Sequence, residues 1–526
     1  MINFIIGWCL NNRFLVILLM LATFVAGYFF MVNTPVDAIP DIGEKQVIVY
    51  AEWTGRDPKV VEDQVTFPLT VGLQGTPGVK SIRSASGFGF SMVFVIFQDK
   101  VDYYWARSRV LERMNVAAQK LPPGVVPVLG PDATALSQVF WYTLEADGAD
   151  LAQLRSVQDW YVRYALQSVE GVSEVATLGG FLKQYQVDVD PNKLRAHRVT
   201  LPEVYEAVRK SNIDVGAKVV EQNGLEFFIR GAGYVKTLAD VENIVIRQEG
   251  GTPLFVKNVA TVQFGPDFRR GVLDNAGREA VGAVVLMRYG ENPLAVIQRV
   301  KERIKEIEPG LKIVMPDGTS APVRIIPYYD RTGIIYETMD TLREALIEEG
   351  IVVGIIVLIF LLHIRSSLSI LPTLPLSVLI SFSLMYWLGV DGNIMSLAGI
   401  AIAIGDIADF GIIMTENIYR KLSLEPDRPY HTVVYEAATE VGGPMFAAVA
   451  NTLISFIPVF ALTGAEGKMF GPLAYTKSFA IGASMILGIT VVPVLASFLL
   501  KPVQWSRRLS LILAISTGIA SIFLMH

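Results

Sequence analysis

The sequence predicts a polytopic α-helical membrane protein carrying a large α+β insert, itself built from two ferredoxin-like (split βαβ) subdomains. Three observations lead there. Apolar residues gather into blocks of membrane-spanning length on either side of a mixed segment, 33–344. One block, 394–418, carries Asp406, Asp409 and Glu416 in its inner part. Within the insert, a set of residue pairs recurs at a fixed offset of 93 positions.

The first block, 14–32, is 19 residues without a charge, long enough to cross a bilayer. No small-residue cleavage site follows it, so it reads as a retained anchor. Further predicted spans are 345–362, 368–388, 394–418, 445–462, 473–500 and, more weakly patterned, 509–525. Arg13, Arg365, Arg420, Lys421, Arg428, Lys501, Arg507 and Arg508 all fall on ends that alternate onto one side. The opposite turns, 389–393 and 463–471, contribute only Lys468. The positive-inside rule makes the first side cytoplasmic and places the insert outside, which in a bacterium is the periplasm. The single cysteine, Cys9, rules out a disulfide framework, and no Cys/His cluster suggests zinc. A net charge of −5 argues for no nucleic-acid partner.

Within the insert, 46–52 alternates like a strand, 58–73 has helical spacing, 75–79 is a turn and 91–97 a second strand. Leu73-Gln74, Gly78-Val79 and Gly87-Phe88 reappear as Leu166-Gln167, Gly171-Val172 and Gly180-Phe181. Two copies of a helix–turn–strand unit imply duplicated split βαβ subdomains. Two helical patterns around an alternating stretch at 200–246 read as an insertion in the second copy, extending to about 265. A helix is predicted over 292–307, and an amphipathic helix over 329–349 leads into the second span.

The acidic block carries the functional signal. At about 100° per residue, Asp409 and Glu416 fall within roughly 20° of each other on a helix, with Asp406 about 60° away. A charged carboxylate in hydrocarbon costs about 3 kcal/mol or more, so such residues face a protein interior and mark an ion or proton pathway. Asp406 and Asp409 lie one turn apart, a like-charged pair on one helix. For Glu416 an interfacial ion pair with Arg420 is the alternative.

Several stretches resemble one family. They are Ala38-Ile-Pro-Asp-Ile42, Val65-Thr-Phe-Pro-Leu69, Tyr104-Trp-Ala-Arg-Ser-Arg-Val-Leu-Glu112, Leu129-Gly-Pro-Asp-Ala-Thr134, Asn393-Ile-Met-Ser-Leu397 and Phe470-Gly-Pro-Leu-Ala-Tyr-Thr-Lys477. Together with one span, a duplicated insert and five further spans, they resemble the N-terminal half of a resistance–nodulation–division (RND) exporter of the heavy-metal branch, the CusA/CzcA type. The resemblance implies the RND transporter fold, here ending after six to seven spans. Its divisions are 1–32 (first span), 33–344 (porter subdomains with a docking insertion at about 200–265), 345–500 (spans two to six) and 501–526 (cytoplasmic link and incomplete seventh span).

What the resemblance implies for function is a proton/metal antiporter rather than an enzyme, in the bacterial inner membrane. It implies a homotrimer working with a periplasmic membrane-fusion adaptor and an outer-membrane channel, and no cofactor. Asp409 matches the family's central proton-carrying acid, and Glu416-Asn417 the acid–Asn pair after it. Asp406 departs from the copper/silver pattern, and the extra Asp of the zinc/cobalt/cadmium pattern falls at Ala403, although Phe410-Gly411 is similar to that branch.

Soft thioethers select Cu(I) and Ag(I), while carboxylate and imidazole suit divalent ions. Most of the 15 methionines are core filler. Met395 and Met414 occupy positions resembling the family's membrane methionine relay, with packing as the alternative. A third relay position corresponds to Ile481, with Met485 one turn away. The cargo expected is Cu(I)/Ag(I), with divalent Zn, Co or Cd as the alternative. Drug export is a further alternative, although drug exporters place two adjacent Asp where Ile407-Ala408 separate this pair. The family's periplasmic capture methionines, and the membrane lysine that pairs with the central acid, belong to a second half. The chain therefore reads as a fragment, a frameshifted product or one subunit of a split transporter, and a non-transporting accessory subunit is the other class.

The loop charges generate a direct test. Single cysteines at exposed positions of the insert are expected to react with a membrane-impermeant thiol reagent in intact spheroplasts. Labelling only after the membrane is broken would reject the topology.

Overall fold

A computed structural model describes residues 1–249, 251–269, 271–315, 317–361 and 364–500. The expected link 501–526 and the seventh span 509–525 lie outside the described residues. Five described helices are long and apolar enough to cross a membrane: Arg13–Asn33 (TM1), Ser366–Leu388 (TM3), Ile394–Leu424 (TM4), Tyr430–Phe460 (TM5) and Gly464–Leu499 (TM6). The expected second span lies in one helix, Arg331–Leu361 (TM2). TM5 and TM6 begin earlier than the apolar blocks at 445 and 473, because helices continue past the hydrocarbon into their flanking turns. Tyr329 and Asp330, read as the start of a helix, instead end a strand, Arg324–Asp330. TM2 follows that strand without a loop.

The spans share one core. Ile404, Ile407 and Met414 of TM4 meet Val434, Ala437 and Ala438 of TM5 and Ile481, Val492 and Val494 of TM6, all buried. TM4 and TM6 approach closely because Gly399 has no side chain: a Cβ there would sit 2.6 Å from the carbonyl oxygen of Leu473. Small residues at such crossings are how membrane helices gain contact without a hydrophobic driving force.

The insert contains the expected duplication. Its first unit runs β1 (Gln46–Glu52), a helix over Pro58–Leu73, β2 (Val79–Gly87), β3 (Phe90–Phe97), a helix Tyr103–Ala118 and β4 (Pro127–Leu129). Every pairing is antiparallel, in the order β2-β3-β1-β4. The second unit repeats it with β5 (Gln138–Glu145), β6 (Val172–Gly179), Arg278–Met287 and Arg324–Asp330, in the order β6, 278–287, β5, 324–330. Val47, Val49, Leu69, Val93, Val95 and Val110 fill the first core. Phe140, Tyr142, Leu166, Val285, Ile297 and Val300 fill the second. The first helix of each unit is interrupted by one π turn, Glu62–Thr66 and Gln158–Val162. In the second unit that turn brings Gln158 under the sheet, where its Oε1 accepts from the buried Tyr142 hydroxyl at 3.0 Å.

Between β6 and the 278–287 strand the chain makes an extra lobe. From it extends a hairpin, Val215–Gln222 and Leu225–Gly231, turning through Asn223 and Gly224, both at positive φ. All of Leu225–Gly231 is exposed. Val219, Val220, Phe227 and Phe228 put apolar side chains on both faces of the ribbon.

The insert is tied to the spans at one junction. After TM1 the chain runs extended beside the TM3–TM4 turn: Val36 bridges Gly392, Asp37 N–H donates to Gly392 O (2.9 Å) and Gly392 N–H to Pro35 O (2.8 Å). Arg331, at the start of TM2, is almost wholly buried here. It donates to Asp37 at 2.9 Å and to Leu136 O at 2.6 Å. From the start of TM6, Lys468 reaches Gly43 O (2.6 Å) and Asp99 (3.1 Å). Burial raises the pKa of Asp37 against the lowering pull of Arg331, and partial desolvation in the junction together with the charge of Asp37 raises that of Asp391, whose side chain stays open to solvent.

A carboxyl whose folded pKa is raised destabilises the folded state above that pKa, and the penalty fades as pH falls and both states are protonated. Asp391→Asn is therefore expected to raise the melting temperature at pH 7.5, with the gain shrinking toward pH 4. A pH-independent change, or a loss at pH 7.5, would contradict the junction electrostatics.

Candidate functional site

The candidate site is the charged face of TM4. The helix starts where its sequence caps it: Asn393 Oδ1 accepts from the N–H groups of Met395 (3.1 Å) and Ser396 (3.0 Å), and Ser396 Oγ accepts in return from Asn393 N–H (2.7 Å). From there Ala403, Ile407, Met414 and Ile418 turn inward to the shared core, and Leu397 and Ile400 to a smaller one with Phe382 and Met385 of TM3. Ile402, Gly405, Asp409, Ile413 and Glu416 form the opposite stripe, exposed among the described residues. Two carboxylates thus share one uncovered face with two isoleucines, at the i, i+3, i+4 spacing of a helix side.

Asp406 sits at the edge of that stripe and faces TM6. Its Oδ2 lies 3.5 Å from Lys477 Nζ, which also stands 4.9 Å over the ring of Phe456 in TM5. The family resemblance places the lysine partner of the central acid, Asp409, in a second half. The structure finds one within this chain, and it belongs to Asp406. The signal was present: Lys477 is the one charge in the apolar run 473–500. The pairing also gives a local reason for an acid at 406, where the related patterns have none. Among the described residues Asp409 has no ion pair.

At the other end of TM4, the alternative Glu416–Arg420 ion pair does not form among the described residues. Arg420 Nη2 donates to Asn417 Oδ1 (2.8 Å), Asn417 Nδ2 to Ala437 O (2.8 Å), and Lys421 pairs with Glu440 (2.7 Å). Asn417 is the hub of a TM4–TM5 clasp, and Glu416 stays outside it.

The methionines do not converge. Met414 is fully buried in the core shared with Ile481, with Met485 packed against it, whereas Met395 is half-buried in the first turn. Nineteen positions separate them, which is about 28 Å along the axis. They form two separate points along one helix rather than a single coordination sphere. Among the described residues no group of three or more His, Cys, Asp or Glu side chains gathers.

These features define a class: a multi-pass membrane protein with a duplicated α+β insert and a carboxylate-bearing fourth span. Residues 5–517 match the AcrB/AcrD/AcrF family. The cation efflux system protein CusA of Escherichia coli strain K12 is 41% identical over 514 residues, covering 95% of this chain and 48% of CusA. The putative cation efflux system protein SilA of Salmonella typhimurium is 41% identical, covering 98% and 50%. The cobalt-zinc-cadmium resistance protein CzcA of Cupriavidus metallidurans is 36% identical, covering 93% and 47%. A crystal structure of a heavy metal efflux pump superposes with a TM-score of 0.82 at 28% identity, over 93% of this chain and 48% of that one. The chain belongs to this family, in the heavy-metal efflux branch of the RND superfamily, and spans about half the length of these relatives.

The ion pair across TM4 and TM6 is testable by a double-mutant cycle. Asp406→Asn and Lys477→Gln are each expected to lower stability in detergent. The double variant should recover about 1 kcal/mol relative to their sum. Strict additivity would show that the two charges do not interact.

Proposed function

We propose that the chain forms the proton-carrying half of a proton-driven heavy-metal exporter in the bacterial inner membrane, with its insert in the periplasm. The observation that carries the reading is the uncovered TM4 face. Asp409 and Glu416 lie on a side that the described residues leave bare, in a helix whose opposite side is packed. Carboxylates at membrane depth are retained where they face a protein interior or a water-filled path, and alternating access places such sites between two repeats. Asp409 takes up and releases the proton. Asp406, with Lys477 beside it, holds the neighbouring charge fixed. Glu416 stands at the cytoplasmic exit.

The cargo proposed is Cu(I) or Ag(I), with Met395 and Met414 as successive thioether contacts along TM4. The motif resemblance and the greater identity to CusA and SilA than to CzcA support it. Assembly as a trimer with a periplasmic adaptor and an outer-membrane channel follows the family resemblance. The hairpin at 215–231 supports it physically, since an isolated two-stranded ribbon is marginal in water and apolar on both faces only where a partner covers it.

The test uses a transporter in which this half is joined to a second half of the same branch. Asp409→Asn keeps the side chain's size and removes its titration. It should abolish metal resistance at unchanged protein level in a host lacking its own exporter. Growth is compared across Cu, Ag, Zn, Cd and Co. Full resistance in the variant would end the proton-carrier reading, and protection against only the divalent ions would end the Cu(I)/Ag(I) assignment.

A further inference from the structure

On the opposite side of the spans from the insert, the N-terminal helix Ile2–Asn11 and the start of TM5 enclose a cavity of about 840 Å³. The helix is 10 residues long, too short to cross a bilayer. It buries Ile6, Cys9 and Leu10 against the bundle and turns Phe4 and Trp8 outward. That is the posture of a helix lying in the membrane interface, with aromatic rings at headgroup level.

The cavity's chemistry is one-signed. Arg13, His431, Thr432 and Asn11 supply its polar wall, and no described lining residue is acidic. Arg13 is held in place: Nε donates to Leu10 O at 2.8 Å, and Nη2 lies against the His431 ring, 3.2 Å from Nε2. The guanidinium also sits 5.8 Å from the Phe498 ring centre. Nη1 has no partner among the described residues. His431 and Thr432 belong to the first turn of Tyr430–Ser455, the 26-residue helix that begins TM5, with no side-chain cap and no acid in that turn. Its positive end adds to the field of Arg13. Beside this polar wall, Phe14 and Leu18 of TM1 are exposed (80% and 52%) and continue as an apolar strip toward the membrane interior.

We propose that this cavity binds the phosphate headgroup of an anionic phospholipid of the cytoplasmic leaflet. Arg13, the His431 ring and the Thr432 hydroxyl hold the phosphate, while the acyl chains lie along Phe14 and Leu18. Basic pockets between membrane helices on this side are suited to anionic headgroups. The adjoining apolar strip selects a ligand with both a charge and a hydrocarbon tail, which a free phosphate lacks.

Native mass spectrometry of the full chain in detergent tests it, with phosphatidylglycerol and phosphatidylethanolamine of identical acyl chains as probes. One phosphatidylglycerol per chain should bind at least ten-fold more tightly than the zwitterionic lipid. Arg13→Gln should weaken it about five-fold or more, the loss expected for one basic group near a lipid phosphate. Arg13→Lys should retain most of the binding. Equal affinity for the two lipids, or unchanged affinity in Arg13→Gln, would overturn the proposal. So would displacement of the lipid by millimolar inorganic phosphate, which would show a small-anion pocket instead. If Arg13→Gln does not remain monodisperse, His431→Gln and the comparison of the two lipids on the unaltered chain decide.

Discussion

A buried guanidinium–carboxylate contact, Arg331 with Asp37, lies at the centre of the junction that ties the insert to the spans. Asp37 follows TM1 and Arg331 begins TM2, so the pair closes the whole insert, 33–344, at its two ends. Leu136 O takes a further Arg331 proton and brings in the segment that links the two repeated subdomains. Removing one member of a buried pair costs about 3–5 kcal/mol because the other is left unpaired and desolvated. The extended pairing of 35–37 with Gly392 then fixes the TM3–TM4 turn, and with it the point from which TM4 starts. The position of the acidic face thus depends on a contact outside the membrane.

Along TM4 the three acids are chemically unequal, although they share one helix. Asp406 is neutralised by a fixed ammonium, whereas Asp409, one turn on, faces outward without a counter-charge among the described residues. Glu416 lies beside a clasp of Asn417, Arg420, Lys421 and Glu440 but takes no part in it. A helix with three equivalent acids would scatter charge along its length. This one separates a paired charge, an open charge and a terminal charge at different depths, an order that suits stepwise proton movement.

The periodicities that specify buried faces were legible in the sequence. β1 and the helix over 58–73 lie where alternation and helical spacing placed them, because each has one buried and one open side. β2 was not legible: Val-Lys-Ser-Ile-Arg-Ser-Ala-Ser-Gly has little apolar alternation, and backbone pairing to β3 holds it in the sheet. The π turns were equally silent, since one extra residue in a helical turn barely shifts the apolar spacing. At the candidate site the acids were visible because charge in an apolar block is conspicuous. Their partners were not, since Lys477 lies 71 positions from Asp406 and only the crossing of TM4 and TM6 brings them together. The alternative reading of Glu416, an ion pair with Arg420, does not hold for a local reason, as the Asn417 amide oxygen accepts from the guanidinium.

TM2 has a mechanical consequence. It runs 31 residues, Arg331–Leu361, with no proline and no loop between it and the strand Arg324–Asp330. At 1.5 Å per residue that is a rod of about 46 Å. Tilting such a rod by about 5° at its membrane end carries the other end through about 4 Å. The strand it meets is hydrogen-bonded along its length to β5 in the second subdomain. Any rocking among the spans is therefore delivered to that sheet as leverage, magnified by distance, with no slack at the joint to absorb it.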